Sequence, residues 1–333
     1  HYRKVLGTLR GLGMEPMVTL HHFTNPSWLA AAGGWESDDL VEQFRLYARH
    51  CVDTLGDLVN LWVTINEPNV YAYYAYTSGT WPPEKKDFNA SARVLRNMVR
   101  GHAAAYREIR ESAHGAAAKV GVAQHLRVFQ PWRGWSPLDR LAAALPDRAF
   151  NHWFLRACTD GWTGFPLGLR HRVPEAVGTL DYIGVNYYSR DMVSFAPGAP
   201  GELFARTFPA PGRPLSDLGM ELYPPGLYRV IRDTWDTYRR PIYITENGVA
   251  DGVDQHRPAA LIGHLAEVAR AQREGVDIRG YLHWSSMDNF EWSEGFKMRF
   301  GLVEVDFATQ ERRPRPSATL YSDVIRRNGL GWA

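Results

Sequence analysis

Apolar residues recur along this chain in two alternating patterns, and the alternation predicts its architecture. Tyr2 to Leu12 places Val5, Leu6, Leu9 and Leu12 at helical spacing, and Gly13 then interrupts. Met17 to His22 (MVTLHH) reads as a strand. Leu40, Val41, Phe44, Tyr47, Ala48 and Cys51 then mark one face of a helix over about 38–55, with Ser37 as its cap. The same couplet recurs: strand WVTINEP at 62–68 with a helix over 90–112, and strand KVGVAQHL at 119–126 with a helix near 138–157. It continues with strand LDYIGVNYY at 180–188 and a helix at 226–239, then strand PIYITENG at 241–248 and a helix at 258–274. Strand IRGYLHWSS at 278–286 and a helix over 316–328 complete the series. Near-continuous apolar strands separated by long helices predict parallel βαβ units.

The polar residues of these strands cluster at the carboxyl ends: His22, Glu67, Gln124 or His125, Asn186, Glu246 and the segment Trp284–Glu291. A (β/α)8 barrel keeps its chemistry on that side. A doubly wound sheet is the competitor, but no G-x-G-x-x-G or GKS phosphate loop follows any strand. The expected fold is therefore an α/β TIM-type barrel forming one domain over 1–333. It is incomplete, since about six strands are recognisable where eight are needed. Two carboxylates on separate strand ends, Glu67 and Glu246, form a candidate catalytic pair; each alone reads equally well as a structural ion-pair partner.

Composition narrows the function classes. The net charge of +2 over 333 residues offers no electrostatic footprint for nucleic acid or an anionic membrane, and no apolar run is long enough to span a bilayer. Cys51 and Cys158 sit in helix-like patterns and read as buried free thiols, which suits a cytoplasmic location. The chain starts at His1 without an initiator Met, so a segment upstream is expected to have been removed. His21 and His125 read as structural histidines, and no cluster completes a metal site; no metal or cofactor is expected. Trp132, Trp135 and Trp162 suit either loop packing or the mouth of a sugar site.

Five motifs occur in an order that resembles the family 1 glycoside hydrolases, the retaining β-glucosidases and β-glycosidases. They are TLHHFTNP at 19–26, TINEPN at 64–69, GVNYYSR at 184–190, YITENG at 243–248 and HWSSMDNFEW at 283–292, followed by RFGLVEVDF at 299–307. The resemblance implies Glu67 as acid/base and Glu246 as nucleophile. It implies Asn66 on the sugar 2-hydroxyl, Tyr188 orienting the nucleophile with Asn186 in support, and His22, Glu291 and Trp292 as sugar hydrogen-bonding positions. Trp284 and Phe300 become the aromatic wall of the pocket. The implied substrate is a small, unphosphorylated β-glycoside or oligosaccharide, because Glu291 would repel a 6-phosphate. The two carboxyls must hold different pKa values for a two-step double displacement. The family's first two strand–helix units have no counterpart here. That absence motivates an alternative, a non-catalytic sugar-binding remnant or a fragment needing its missing strands in trans. It also predicts that a homo-oligomer interface or an upstream segment covers the strands at 17–22 and 278–286.

Overall fold

A computed structural model describes residues 1–331. Six strands form the main sheet: β1 (Met17–His21), β2 (Leu61–Asn66), β3 (Lys119–His125), β4 (Tyr182–Tyr187), β5 (Ile242–Asn247) and β6 (Ile278–Tyr281). They pair in chain order, β1-β2-β3-β4-β5-β6. The pairs β1–β2, β2–β3 and β5–β6 are parallel. A doubly wound sheet reverses its strand order at a switch point, and this sheet has no reversal. The expected helices intervene at Asp39–Leu55, Phe88–Glu111, Pro224–Tyr238 and Arg257–Arg273, with Pro316–Arg327 last. No helix among the described residues is long and apolar enough to cross a membrane.

The chain divides into two compact units, residues 1–125 with 148–184, and residues 126–147 with 185 onward. The first contains β1–β3 and the opening half of β4. β2 and β3 are buried along nearly their whole length, as expected where helices cover a parallel sheet, whereas β1 is buried only at Leu20 and His21. Gly121 is required in β3, because a Cβ there would lie 2.6 Å from the Tyr182 carbonyl oxygen and 2.8 Å from its ring. The ring crosses β3 at this point, and Tyr182 Oη donates to the Trp62 carbonyl at 2.9 Å. The N-cap of the helix Asp39–Leu55 is Asp38 and not Ser37, which stands one residue earlier and accepts the Asp39 N–H at 3.2 Å. Cys51 and Cys158 are buried free thiols.

The second unit holds the rest of β4, then β5 and β6. The segment 190–225, between the expected strand at 180–188 and the expected helix at 226–239, is partly strand. Arg190–Phe195 pairs in parallel with Val128–Pro131 and antiparallel with Ala205–Phe208. Ala142 and Ala143 of helix Pro137–Pro146 pack on Val193 and Ala205 of this small sheet. The Arg133 guanidinium beside Asp139 holds that buried carboxyl down at about 2. These strands are only partly buried and carry neither an unbroken apolar run nor a strict alternation, which is why periodicity missed them.

Three further expectations change. The helix expected near 138–157 is interrupted by a π-helical segment, Asp147–His152, before resuming at Trp153–Asp160. The last strand stops at Tyr281 instead of 286. In the first helix only Leu6 is buried, while Val5 and Leu12 are 40% and 66% exposed.

Candidate active site

Each unit carries one of the two carboxylates at the carboxyl end of a strand. In the first unit β2 ends at Asn66 and Glu67 follows it directly. Glu67 adopts φ 45° and ψ 58°, the left-handed region, immediately before the short helix Pro68–Ala72. A non-glycine residue held there carries strain that the surroundings must maintain. The Glu67 N–H is secured to the Ala123 carbonyl of β3 at 2.7 Å. Its side chain is buried, with Oε1 3.2 Å from Nδ1 of His125 at the end of β3.

Asn66 Nδ2 donates to His22 Nε2 at 3.0 Å. That bond places the proton of the neutral ring on Nδ1. Burial pushes the His22 pKa down, with the Glu67 charge opposing. The unit therefore presents Asn66, His22 and Glu67 together. His21 is structural as expected: it is buried, accepts from Trp35 Nε1 at 3.1 Å, and meets Trp35, Phe44 and Tyr71 edge-on.

In the second unit Glu246 is the penultimate residue of β5 and is buried. Tyr188, just beyond the end of β4, donates its hydroxyl to Glu246 Oε2 at 2.6 Å. The Phe300 ring meets Tyr188 edge-on with centroids 6.0 Å apart. Asn186 in β4 accepts the Thr245 hydroxyl at 2.5 Å. Asn247 is the last residue of β5; its Nδ2 donates to the Tyr187 carbonyl at 2.7 Å, and its Oδ1 accepts from Tyr281 Oη at 2.7 Å. These bonds fix the strand end carrying Glu246 against the segment carrying Tyr188.

Trp284, Glu291 and Trp292 lie beyond β6, with Trp284 N donating to the Asn247 carbonyl at 2.9 Å. Glu291 starts the short 3₁₀ turn Trp292–Glu294, and Trp292 takes φ 45°.

Two residues gain a place that sequence reasoning did not give them. His125, read as structural, is the side chain against Glu67. Its position at the end of an apolar strand, like that of Glu67 and Glu246, was the available signal. Asn247 is the second. Trp162, weighed for loop packing or the mouth of the site, forms a two-residue strand with Thr163.

Comparison with known proteins identifies the family of the chain. The chain is 36% identical to a β-galactosidase of Sulfolobus acidocaldarius over 99% of its own length and 70% of that protein's. It is 33% identical to the chloroplastic galactolipid galactosyltransferase SFR2 of Arabidopsis thaliana over 98% of this chain and 50% of that one. Among solved structures it superposes on a β-glucosidase from Thermotoga maritima in complex with castanospermine. The TM-score is 0.92 at 32% identity, covering 99% of this chain and 77% of that one. The strand order and this superposition make the fold a (β/α)8 barrel type with six of its parallel strands present. With residues 1–330 matching the model of glycosyl hydrolase family 1, the chain belongs to that family and is a glycoside hydrolase.

Proposed function

We propose that the protein is a retaining β-glycosidase acting on unphosphorylated β-glucosides or β-galactosides, with Glu246 as nucleophile and Glu67 as acid/base. The observation that carries this reading is the 2.6 Å hydrogen bond from Tyr188 Oη to Glu246 Oε2. It favours an ionised, oriented carboxylate, the form a nucleophile needs. In the first step Glu246 attacks the anomeric carbon while Glu67 passes its proton to the glycosidic oxygen, so the aglycone leaves as an alcohol. A covalent glycosyl ester on Glu246 results. In the second step Glu67, now a carboxylate, takes a proton from water, whose oxygen attacks the anomeric carbon and releases Glu246.

His125 Nδ1, 3.2 Å from Glu67 Oε1, is placed to orient that carboxyl by a hydrogen bond. Asn66 and His22 take sugar hydroxyls from the side of β1 and β2, with Asn66 at the 2-hydroxyl. Asn186 supports β5 through Thr245. Glu291 and Trp292 take further hydroxyls, while Trp284 and Phe300 form the apolar wall. The galactosyltransferase relative favours one extension, in which an alcohol replaces water in the second step.

The test is release of p-nitrophenol from p-nitrophenyl β-glucoside and β-galactoside by the purified chain, with Glu246→Ala in parallel. Release that disappears in the variant supports the assignment. No release from a folded, monodisperse chain would overturn it and favour a sugar-binding remnant.

A further inference from the structure

A second concave site lies in the first unit, within residues 148–170, and shares no residue with the site described above. It is a cavity of about 420 Å³ bounded by the helix Trp153–Asp160 and the hairpin that follows it. Arg148, Arg156 and Arg170 all line it, against one lining carboxylate, Asp160. Three positive groups less one negative leave a formal charge of +2 around the cavity.

None of the three guanidinium groups has a carboxylate within ion-pair distance among the described residues. The Arg170 guanidinium carbon lies over the Trp162 ring, 3.7 Å from its centroid, and that of Arg172 approaches the same ring at 5.9 Å. Stacking occupies the face of a guanidinium and leaves its in-plane N–H groups available, the geometry that grips oxyanions in pairs. Arg148 donates Nε to the Phe165 carbonyl at 3.2 Å, which orients it and leaves its terminal nitrogens unspent. Asp160 is engaged elsewhere, accepting the Trp162 N–H at 3.0 Å.

The apolar part of the lining is exposed to solvent. Phe165 is 63% exposed and Leu169 82%. The walls are held in place: Trp153 is buried, and its Nε1 donates to the Gly164 carbonyl at 2.7 Å.

We propose that this cavity binds a phosphate monoester carried on a ring. A dianion matches the +2 charge of the lining, and three guanidinium groups supply more donors than a carboxylate can accept. A bare phosphate leaves most of the volume unfilled. A ring-bearing ester suits a cavity in the range of about 300–1,000 Å³ typical of small-molecule sites, and it covers Phe165 and Leu169.

Titration calorimetry on the whole chain tests this with three probes: phenyl phosphate, inorganic phosphate and benzyl alcohol. Phenyl phosphate is expected to bind with one-to-one stoichiometry, inorganic phosphate roughly tenfold more weakly, and the neutral alcohol not at all. Arg156→Ala and Arg170→Ala should each weaken phenyl phosphate roughly tenfold. Arg229→Ala, an exposed control in the other unit, should not. Because Arg156 is exposed, its variant is expected to keep the parent unfolding temperature and p-nitrophenyl glycosidase activity, which separates this cavity from the catalytic one. Absence of heat at millimolar phenyl phosphate, or unchanged affinity in both arginine variants, would overturn the site. Equal affinities for phenyl phosphate and inorganic phosphate would overturn its assignment to an ester.

Discussion

At the scale of single residues, the Tyr188–Glu246 contact makes a prediction that a merely structural tyrosine does not. A hydrogen bond to a charged group contributes about 1.5–3 kcal/mol. Tyr188→Phe should therefore lower kcat/KM by about tenfold to a hundredfold. Loss of that donor also favours the neutral carboxyl, so the acidic limb of the kcat/KM profile should move to higher pH. A fall in rate with an unmoved limb would assign Tyr188 to packing alone. Glu67→Gln separates the two steps in another way. A p-nitrophenolate leaves without protonation and an alkoxide does not, so glycosylation by this variant should be far slower with alkyl than with p-nitrophenyl glycosides. Single-turnover kinetics on both substrates reads the difference directly, and equal slowing would remove the acid role from Glu67.

At the scale of elements, the end of β5 and the segment beyond β6 approach each other at Gly248. A Cβ at that position would lie 1.8 Å from the Trp284 carbonyl oxygen. The obstacle is backbone, so side-chain repacking cannot relieve it. Gly248→Ala should cost about 1–3 kcal/mol or more and displace Glu246, two residues upstream, with loss of kcat. Gly7→Ala is the contrast, since its added Cβ meets nothing within 4 Å and lies in the helix Tyr2–Gly11. That change should stabilise by roughly 0.5–1 kcal/mol. Thermal unfolding of both variants checks the pair, and equal shifts would contradict the geometry. The element boundaries show which information was local. Strands covered on both faces could be read within a few residues, because burial on two faces leaves an unbroken apolar run. The strands at 190–195 and 205–208 could not, because they are only partly buried and show neither an unbroken apolar run nor a strict alternation.

For the whole molecule, acid should be destabilising through buried histidines. Burial pushes His21, His102 and His264 each down to about 4. Between pH 6.5 and 4 the unfolded chain takes up protons that the folded chain refuses. The stability these groups contribute is thus complete above about pH 6.5 and declines as pH falls toward 4. Each histidine accounts for a loss on the order of 2 kcal/mol at pH 5 relative to pH 7. Asp139, held at about 2, keeps its contribution throughout that window. Urea unfolding at pH 7 and pH 5 measures the sum, and a flat profile would show that these rings are hydrated.

The order of strands and helices, the placement of carboxylates at strand ends and the family motifs were all determined by the sequence itself. Each is written in neighbouring residues: a run of apolar side chains, a polar residue where the run stops, a glycine or proline beyond it. Tyr188 entered through resemblance to a family, as did the sugar-binding roles of His22 and Glu291, whose places at strand ends were legible beforehand. Only the tertiary structure decided that His125 stands against Glu67 and that Asn247 ties β5 to Tyr187 and Tyr281. It alone gathered Arg148, Arg156 and Arg170 around one cavity with a single carboxylate. The physical reason is common to all three. Hydrogen bonds and charge clusters are settled by distances of a few ångströms between side chains on different elements, and a one-dimensional pattern carries no record of them.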